Sequence, residues 1–448
     1  MRQGDQRRAG GRVIMRETPL ASLTASAPAA NVYTGDMSDT HRWLLTRDFS
    51  FMWWSQVLSQ VAEGISKLAL LWFVYAVTGS PLKTTVIGLL QTLPPILFGP
   101  FIGVIVDRFP KKTILITSDV ARGLLIGLIP CLVSIENFTV EALYVLTFLF
   151  GIATAVFVPT LSSAVPFMVA RPQFTAANAL LQSTTSLGII IGPAVSGLGI
   201  AFSGSQDVLC VNALTYFASA ACLLPIRLRT TEQPPDDSAG WRPFIRHLLE
   251  GLRYTLLTHR TLLILILLAS VYTFGSGAFT TLFPVFGRQL LGLGPVEVGY
   301  LWSWLGVGLL LSSIGLIRLS AWDLSKRLVA IAVSCAMAGV AVVGLTWTDS
   351  VAMASVYVVC IGIGLGTWTP IAWGIIQEVA PPGMVGRVMA VYTGMATATS
   401  MLGMSAFGWI TESFGSIASV LGIGAVLGVL AWGSAWFGGR IRNGGVAG

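Results

Sequence analysis

Four polar side chains recur at helical spacing inside an otherwise apolar run. Gln56, Gln60, Glu63 and Lys67 stand three or four residues apart within FMWWSQVLSQVAEGISKLALLWFVYAV (51–77), so on a helix they share one face. An acid and an amine in so apolar a setting are expected to face a protein interior or a water-filled cavity. Burial favours a neutral Glu63 and Lys67 one turn away favours a charged one, so Glu63 is either a proton carrier or half of a permanent pair that orients the helix. Asp119 and Arg122, three residues apart, offer a second pair, either a structural ion pair or a participant in coupling. Other chemistries lack their residues. The three histidines lie outside the apolar runs, the five cysteines show no metal-ligand spacing, and no Gly-Lys dipeptide exists to build a phosphate loop, so neither a metal nor a cofactor is expected.

The elements that must position these residues are membrane helices. The 448 residues are 54% hydrophobic and 10% charged, with 49 glycines and 14 tryptophans, against roughly 25% charged residues in soluble chains. Twelve apolar spans follow one another, at 50–77, 84–106, 112–134, 141–168, 175–202, 206–226, 261–286, 296–317, 326–347, 351–376, 385–410 and 415–437. If the amino terminus is cytoplasmic, all 27 basic residues except Lys67, Lys83, Arg122 and Arg288 fall on the inner side. The net charge of +7 is therefore read as topology, with the bilayer as partner and no nucleic acid. The domain reading is a tail at 1–48, a six-helix half at 49–226, a linker with an amphipathic helix at 227–260, a second six-helix half at 261–438 and a tail at 439–448. The linker helix is expected either to lie on the inner membrane surface or to be a solvated connector. Met37 opens MSDTHRWLLTRDFS, an alternative start that amino-terminal sequencing of the expressed protein decides. The halves echo each other: Gly88 corresponds to Gly299, Gly103 to Gly315 and Val169-Ala-Arg-Pro172 to Val379-Ala-Pro-Pro382, at offsets of about 210 residues.

Two motifs carry a family resemblance. Between the second and third spans the chain reads Gly103-Val-Ile-Val-Asp107-Arg108-Phe-Pro-Lys111-Lys112, with Pro110 where the pattern has glycine. In the fifth span it reads Gly188-Ile-Ile-Ile-Gly192-Pro193-Ala-Val-Ser196-Gly197, small residues on one face plus a proline that permits a bend. The first resembles the signature loop of the major facilitator superfamily, and the second resembles the antiporter motif of its drug exporters. With the VARPQFTAANALLQS stretch and the TGSPL turn, the chain is similar to the branch of macrolide, tetracycline and siderophore exporters. The resemblance implies an all-α fold of two pseudo-symmetric six-helix halves, and a latch in which Asp107 and Arg108 engage Arg387 across the halves. The second half holds only a degraded copy of the loop, from Gly315 to Asp323. The basic residue that many drug antiporters carry in the fourth span is absent here.

The resemblance further implies a cavity between the halves lined by Gln56, Gln60, Lys67, Gln91, Gln182, Tyr272, Phe279, Trp368, Trp373 and Tyr392, amides and aromatic faces suited to bulky amphipathic molecules. Proton-driven efflux by a monomer of a bacterial inner membrane is the expected function. An importer or a lysophospholipid flippase is the alternative within the fold, and a receptor or membrane enzyme the alternative outside it.

Overall fold

A computed structural model of the chain describes residues 47–133, 139–169, 174–228, 241–257, 259–319, 322–381 and 384–442. The expected tail up to residue 46, the Ala170-Arg171-Pro172 echo and residues 443–448 lie outside the described residues. In chain order the helices are α1 (Arg47–Thr78), α2 (Pro81–Thr92), α3 (Pro94–Arg108), α4 (Lys111–Val133), α5 (Val140–Ala164), α6 (Phe174–Leu223), α7 (Trp241–Leu257), α8 (Arg260–Leu291), α9 (Pro295–Leu319), α10 (Leu324–Gly344), α11 (Val351–Val379) and α12 (Val385–Arg442). Among the described residues nine helices are long and apolar enough to cross a membrane.

Glycine and proline account for the difference from the twelve spans of the sequence. Gly204 in α6 and Gly415 in α12 both have φ near 85°, a backbone that residues with a Cβ avoid. At each the chain folds back on itself: Val208 lies against Gly199, and Thr411 and Ser419 share a 2.7 Å hydrogen bond. Each of these two long helices is therefore a hairpin of two spans. The second span is split instead. Pro94 and Pro95 lack the N–H groups a continuing helix needs, so α2 ends at Thr92 and α3 starts after Leu93. Neither piece alone crosses a bilayer, but together they make the twelfth span.

The same punctuation recurs in both halves. Gly79 after α1 and Gly292 after α8 have φ of 64° and 65°, and they stand at nearly the same ~210-residue offset as Gly204 and Gly415. Glycine also sets the closest crossings. A Cβ on Gly192 would sit 2.6 Å from the Cα of Gly64, and one on Gly88 would sit 2.7 Å from the methyl of Thr281. Lipid tails are as apolar as leucine, so helices gain by close van der Waals contact, which a missing Cβ permits.

Two faces of the bundle differ. We call the face where α1 begins the tail face and the opposite one the far face. Far-side residues of α1, from Leu68 to Val74, join Leu282, Phe283 and Trp302 of the second half in one buried cluster. On the tail side Phe49, Met52, Leu115, Phe157 and Leu181 pack in a separate cluster confined to the first half. The halves are thus packed together from the far face to mid-depth, and the first half's tail side keeps its own core.

Candidate functional site

The back of α1 is held by a buried polar network. Arg122 and Asp119 of α4 are ion-paired and almost fully buried, at 1% and 0% exposure. Ser59 donates to Asp119 Oδ1 at 3.3 Å and accepts from Arg122 Nη2 at 3.0 Å. Ser219, on the second arm of α6, donates to Asp119 Oδ2 at 2.7 Å and stands 3.0 Å from Ser55 Oγ. The Arg122 guanidinium lies 4.1 Å from the Phe157 ring and 5.0 Å from that of Tyr216. One turn further, Asn212 Nδ2 donates to the Ala62 carbonyl at 3.0 Å and the Ser66 hydroxyl at 2.7 Å. A buried charge is tolerable only when paired and hydrogen-bonded, and here both conditions hold for Asp119.

With that side fixed in this way, α1 turns an adjacent strip, at Lys67, to the second half. Glu63 is half-buried and has no hydrogen-bond or ion-pair partner among the described residues. Lys67 is not ion-paired to it. Its ammonium lies 5.7 Å from the centre of the Trp302 ring, on α9 of the other half. The Lys67 side chain is exposed although its ammonium stands over a ring of the other half, so it lies at the open junction between the halves. Gln60 is half-buried beside it, while Gln56 is 3% exposed with its amide oxygen unpartnered. The stripe read from spacing is thus divided between a buried lower end and an open upper end.

The Gly-Pro motif of α6 locks α1 and α9 to one helix. Gly188 and Gly192 press on Gln60 and Gly64 of α1, while a Cβ on Gly197 would meet the Pro295 carbonyl and stand 3.2 Å from the Cα of Gly299 on α9. A Cβ on Gly299 would in turn meet the Pro193 carbonyl, and Ser303 donates to the Ile190 carbonyl at 2.6 Å. The far side is sealed further by Arg288 over Trp72 at 5.8 Å. Glu412 adds a hydrogen bond from Ser80 Oγ at 2.8 Å and one from the Leu82 N–H at 3.3 Å. That carboxylate from one half caps the amino-terminal end of α2 in the other, where the helix dipole favours it.

The expected aromatic lining forms a packed wall. Tyr272 stacks on Trp368 at 5.4 Å and donates to the Leu365 carbonyl, and Trp368 donates its indole N–H to Tyr392 at 3.0 Å. Phe279 is 1% exposed, edge-on to Phe283. Gln91 is half-buried, Gln182 is exposed, and Trp373 is 44% exposed with no ring or hydrogen-bond partner among the described residues. On the tail face Arg108 is exposed, Lys111 and Lys112 donate to the Val106 and Leu224 carbonyls, and a Cβ on Gly103 would meet open space. The side chain of Asp107 lies outside the described residues. Arg387 pairs with Glu250 of α7 at 2.8 Å. The reason is local: Gly251 brings the α7 backbone onto that of Arg387, so the neighbouring glutamate is within reach.

Sequence reasoning missed Ser55, Ser59, Ser66, Asn212 and Ser219, and it missed Trp72, Arg288 and Trp302. The serines do carry a signal, since Ser55, Ser59 and Ser66 recur along α1 on a strip next to Glu63; the tryptophans carry none that singles them out from the other twelve.

Comparison with known proteins agrees with this arrangement. The family profile described as Major Facilitator Superfamily matches residues 52–404. The chain is 25% identical over 380 residues to macrolide efflux protein A of Streptococcus pyogenes, covering 82% of this chain and 89% of that protein. It is 27% identical over 384 residues to the multidrug efflux pump Tap of Mycolicibacterium fortuitum, covering 82% and 91%. Among solved structures, the nucleoside transporter NupG superposes with a TM-score of 0.69 at 11% identity, over 88% of this chain and 99% of that one. A peptide transporter in complex with alafosfalin superposes with a TM-score of 0.70 at 13% identity, over 88% and 95%. The likeness in fold, and a family profile that runs from α1 into the last helical hairpin, lead to one conclusion: the chain is a membrane transporter, not an enzyme, and belongs to the Major Facilitator Superfamily.

Proposed function

We propose that this transporter is a proton-coupled exporter of amphipathic small molecules, working as a monomer in a bacterial cytoplasmic membrane with both termini inside. Its relatives are a macrolide efflux protein and a multidrug efflux pump, which supports the direction. With the tail face inward, a compound enters from the cytoplasm or inner leaflet and meets α1 and the aromatic wall backed by Tyr272, Phe279, Trp368 and Tyr392. Glu63 releases its proton to the inside as the compound binds. The halves then rock about the glycine crossings of α6 and α9, and Glu63 takes up an outside proton as the compound leaves. Asp107, Arg108, Lys111, Lys112 and Arg387 form the latch that holds the tail face shut in the outward-open state.

One observation carries the coupling role. Glu63 has no hydrogen-bond or ion-pair partner among the described residues, whereas the second acid, Asp119, is tied by Arg122, Ser59 and Ser219. A carboxylate free of fixed partners can gain and lose a proton at little structural cost. In proteoliposomes with an imposed pH gradient, Glu63→Gln should abolish uphill export while energy-independent exchange of substrate across the membrane persists. Uphill export at the wild-type rate would remove Glu63 from the mechanism.

A further inference from the structure

We propose that Lys67 is the docking charge for an anionic group on the transported compound, so that the substrate class is acidic or zwitterionic amphiphiles rather than amines alone. The inference rests on the exporter reading above and names the substrate chemistry of the same site.

An ammonium at mid-depth of a membrane bundle normally has a carboxylate partner or snorkels to an interface. Lys67 does neither. It stands two-thirds of the way along α1, eleven residues short of Thr78, and no acid lies within ion-pair distance among the described residues. Glu63 one turn away acts on it through space without a hydrogen bond, and its one direct contact among the described residues is the Trp302 ring at 5.7 Å, near the outer limit of a useful cation–π contact. The same side chain is exposed to the cleft between the halves. A strong donor with three N–H groups and no acceptor is therefore presented to incoming solute beside an indole face. The local pattern matches a molecule with an anionic group on an aromatic body: the anion meets Lys67 and the ring lies along Trp302. Because Trp302 belongs to the other half, an anion that draws Lys67 away from the indole also loosens a far-side contact, so binding and opening are linked. Glu63 one turn below adds the complementary charge for a zwitterion's ammonium.

The test uses a matched pair of dyes, rhodamine B, a zwitterion with a free carboxylate, and its ethyl ester, a cation with the same aromatic body. Export by the full chain is measured in proteoliposomes against protein-free vesicles. Wild type should move the acid, and Lys67→Met should lower the acid-to-ester rate ratio by about ten-fold, the size expected on losing one charge-assisted hydrogen bond. Lys67→Arg should retain most of the ratio, which separates charge recognition from damage to the helix. An unchanged ratio in Lys67→Met overturns the proposal. So does a wild type that moves the ester but never the acid, which would leave the exporter reading standing. Movement of neither dye would overturn both.

Discussion

Lys67 of the first half lies over Trp302 of the second at 5.7 Å, and Arg288 of the second half lies over Trp72 of the first at 5.8 Å. Each half supplies one cation and one indole, so the far face is closed by a reciprocal pair of contacts. Such contacts contribute roughly 0.5 to 2 kcal/mol each, enough to shift an equilibrium between open and closed by about 2- to 30-fold. Trp72→Leu should therefore populate a far-side-open form. Spin labels at Val77 and Phe414, both exposed at the far ends of their spans, should gain a longer-distance population in the variant. An identical distance distribution would mean that apolar packing alone holds the seal.

Removing one partner of the Asp119 and Arg122 pair should be severe. Arg122 keeps a buried charge, and its Nε already lacks a partner. Asp119→Asn is expected to cost about 3 to 5 kcal/mol, as for other broken buried pairs, and to lower the thermal unfolding midpoint in detergent. Arg122→Met combined with Asp119→Asn should recover part of the loss, because the orphaned charge goes with it. Additive losses would show that the two residues act independently.

Overpacking the glycine crossing between the halves should trap one state. A side chain at Gly197 meets the Pro295 carbonyl and the Gly299 backbone, and backbone cannot rotate aside. Gly197→Leu should keep the far face from closing and halt transport, with the Val77 and Phe414 labels held apart. By contrast Gly103→Leu adds a side chain into open space, so transport at near the wild-type rate is expected.

How far the sequence could be read depended on the range of the interaction. Apolar length located the spans, and the glycine-rich run at 188–197 pointed to a close crossing because its spacing is local. It did not reveal that this run serves two helices, with Gly188 on α1 and Gly197 on α9. Helical periodicity put Gln56 and Lys67 on one stripe, yet one is buried and the other exposed, because the halves meet α1 at different depths. Aromatic residues were equally ambiguous. Trp368 and Tyr392 satisfy each other's polar groups within the wall, and Trp302 finds its cation more than two hundred residues away, a pairing no window of sequence contains.

The linker helix supplies the last test. Arg387, a residue of the proposed latch, is paired with Glu250 of α7 at 2.8 Å, and both side chains are partly exposed, at 36% and 42%. Exposed pairs contribute little on their own and are screened by salt. The close backbone contact at Gly251, where a Cβ would stand 2.7 Å from the Arg387 carbonyl, is the firmer tie between α7 and α12. Glu250→Gln should therefore leave α7 docked, whereas Gly251→Leu should lift it away. Limited trypsin digestion reads the difference, since Arg246 and Arg253 lie on the exposed side of α7. Cleavage there should accelerate several-fold in Gly251→Leu and stay near wild type in Glu250→Gln. Faster cleavage in Glu250→Gln alone would make the ion pair, and not the glycine contact, the element that fixes the linker.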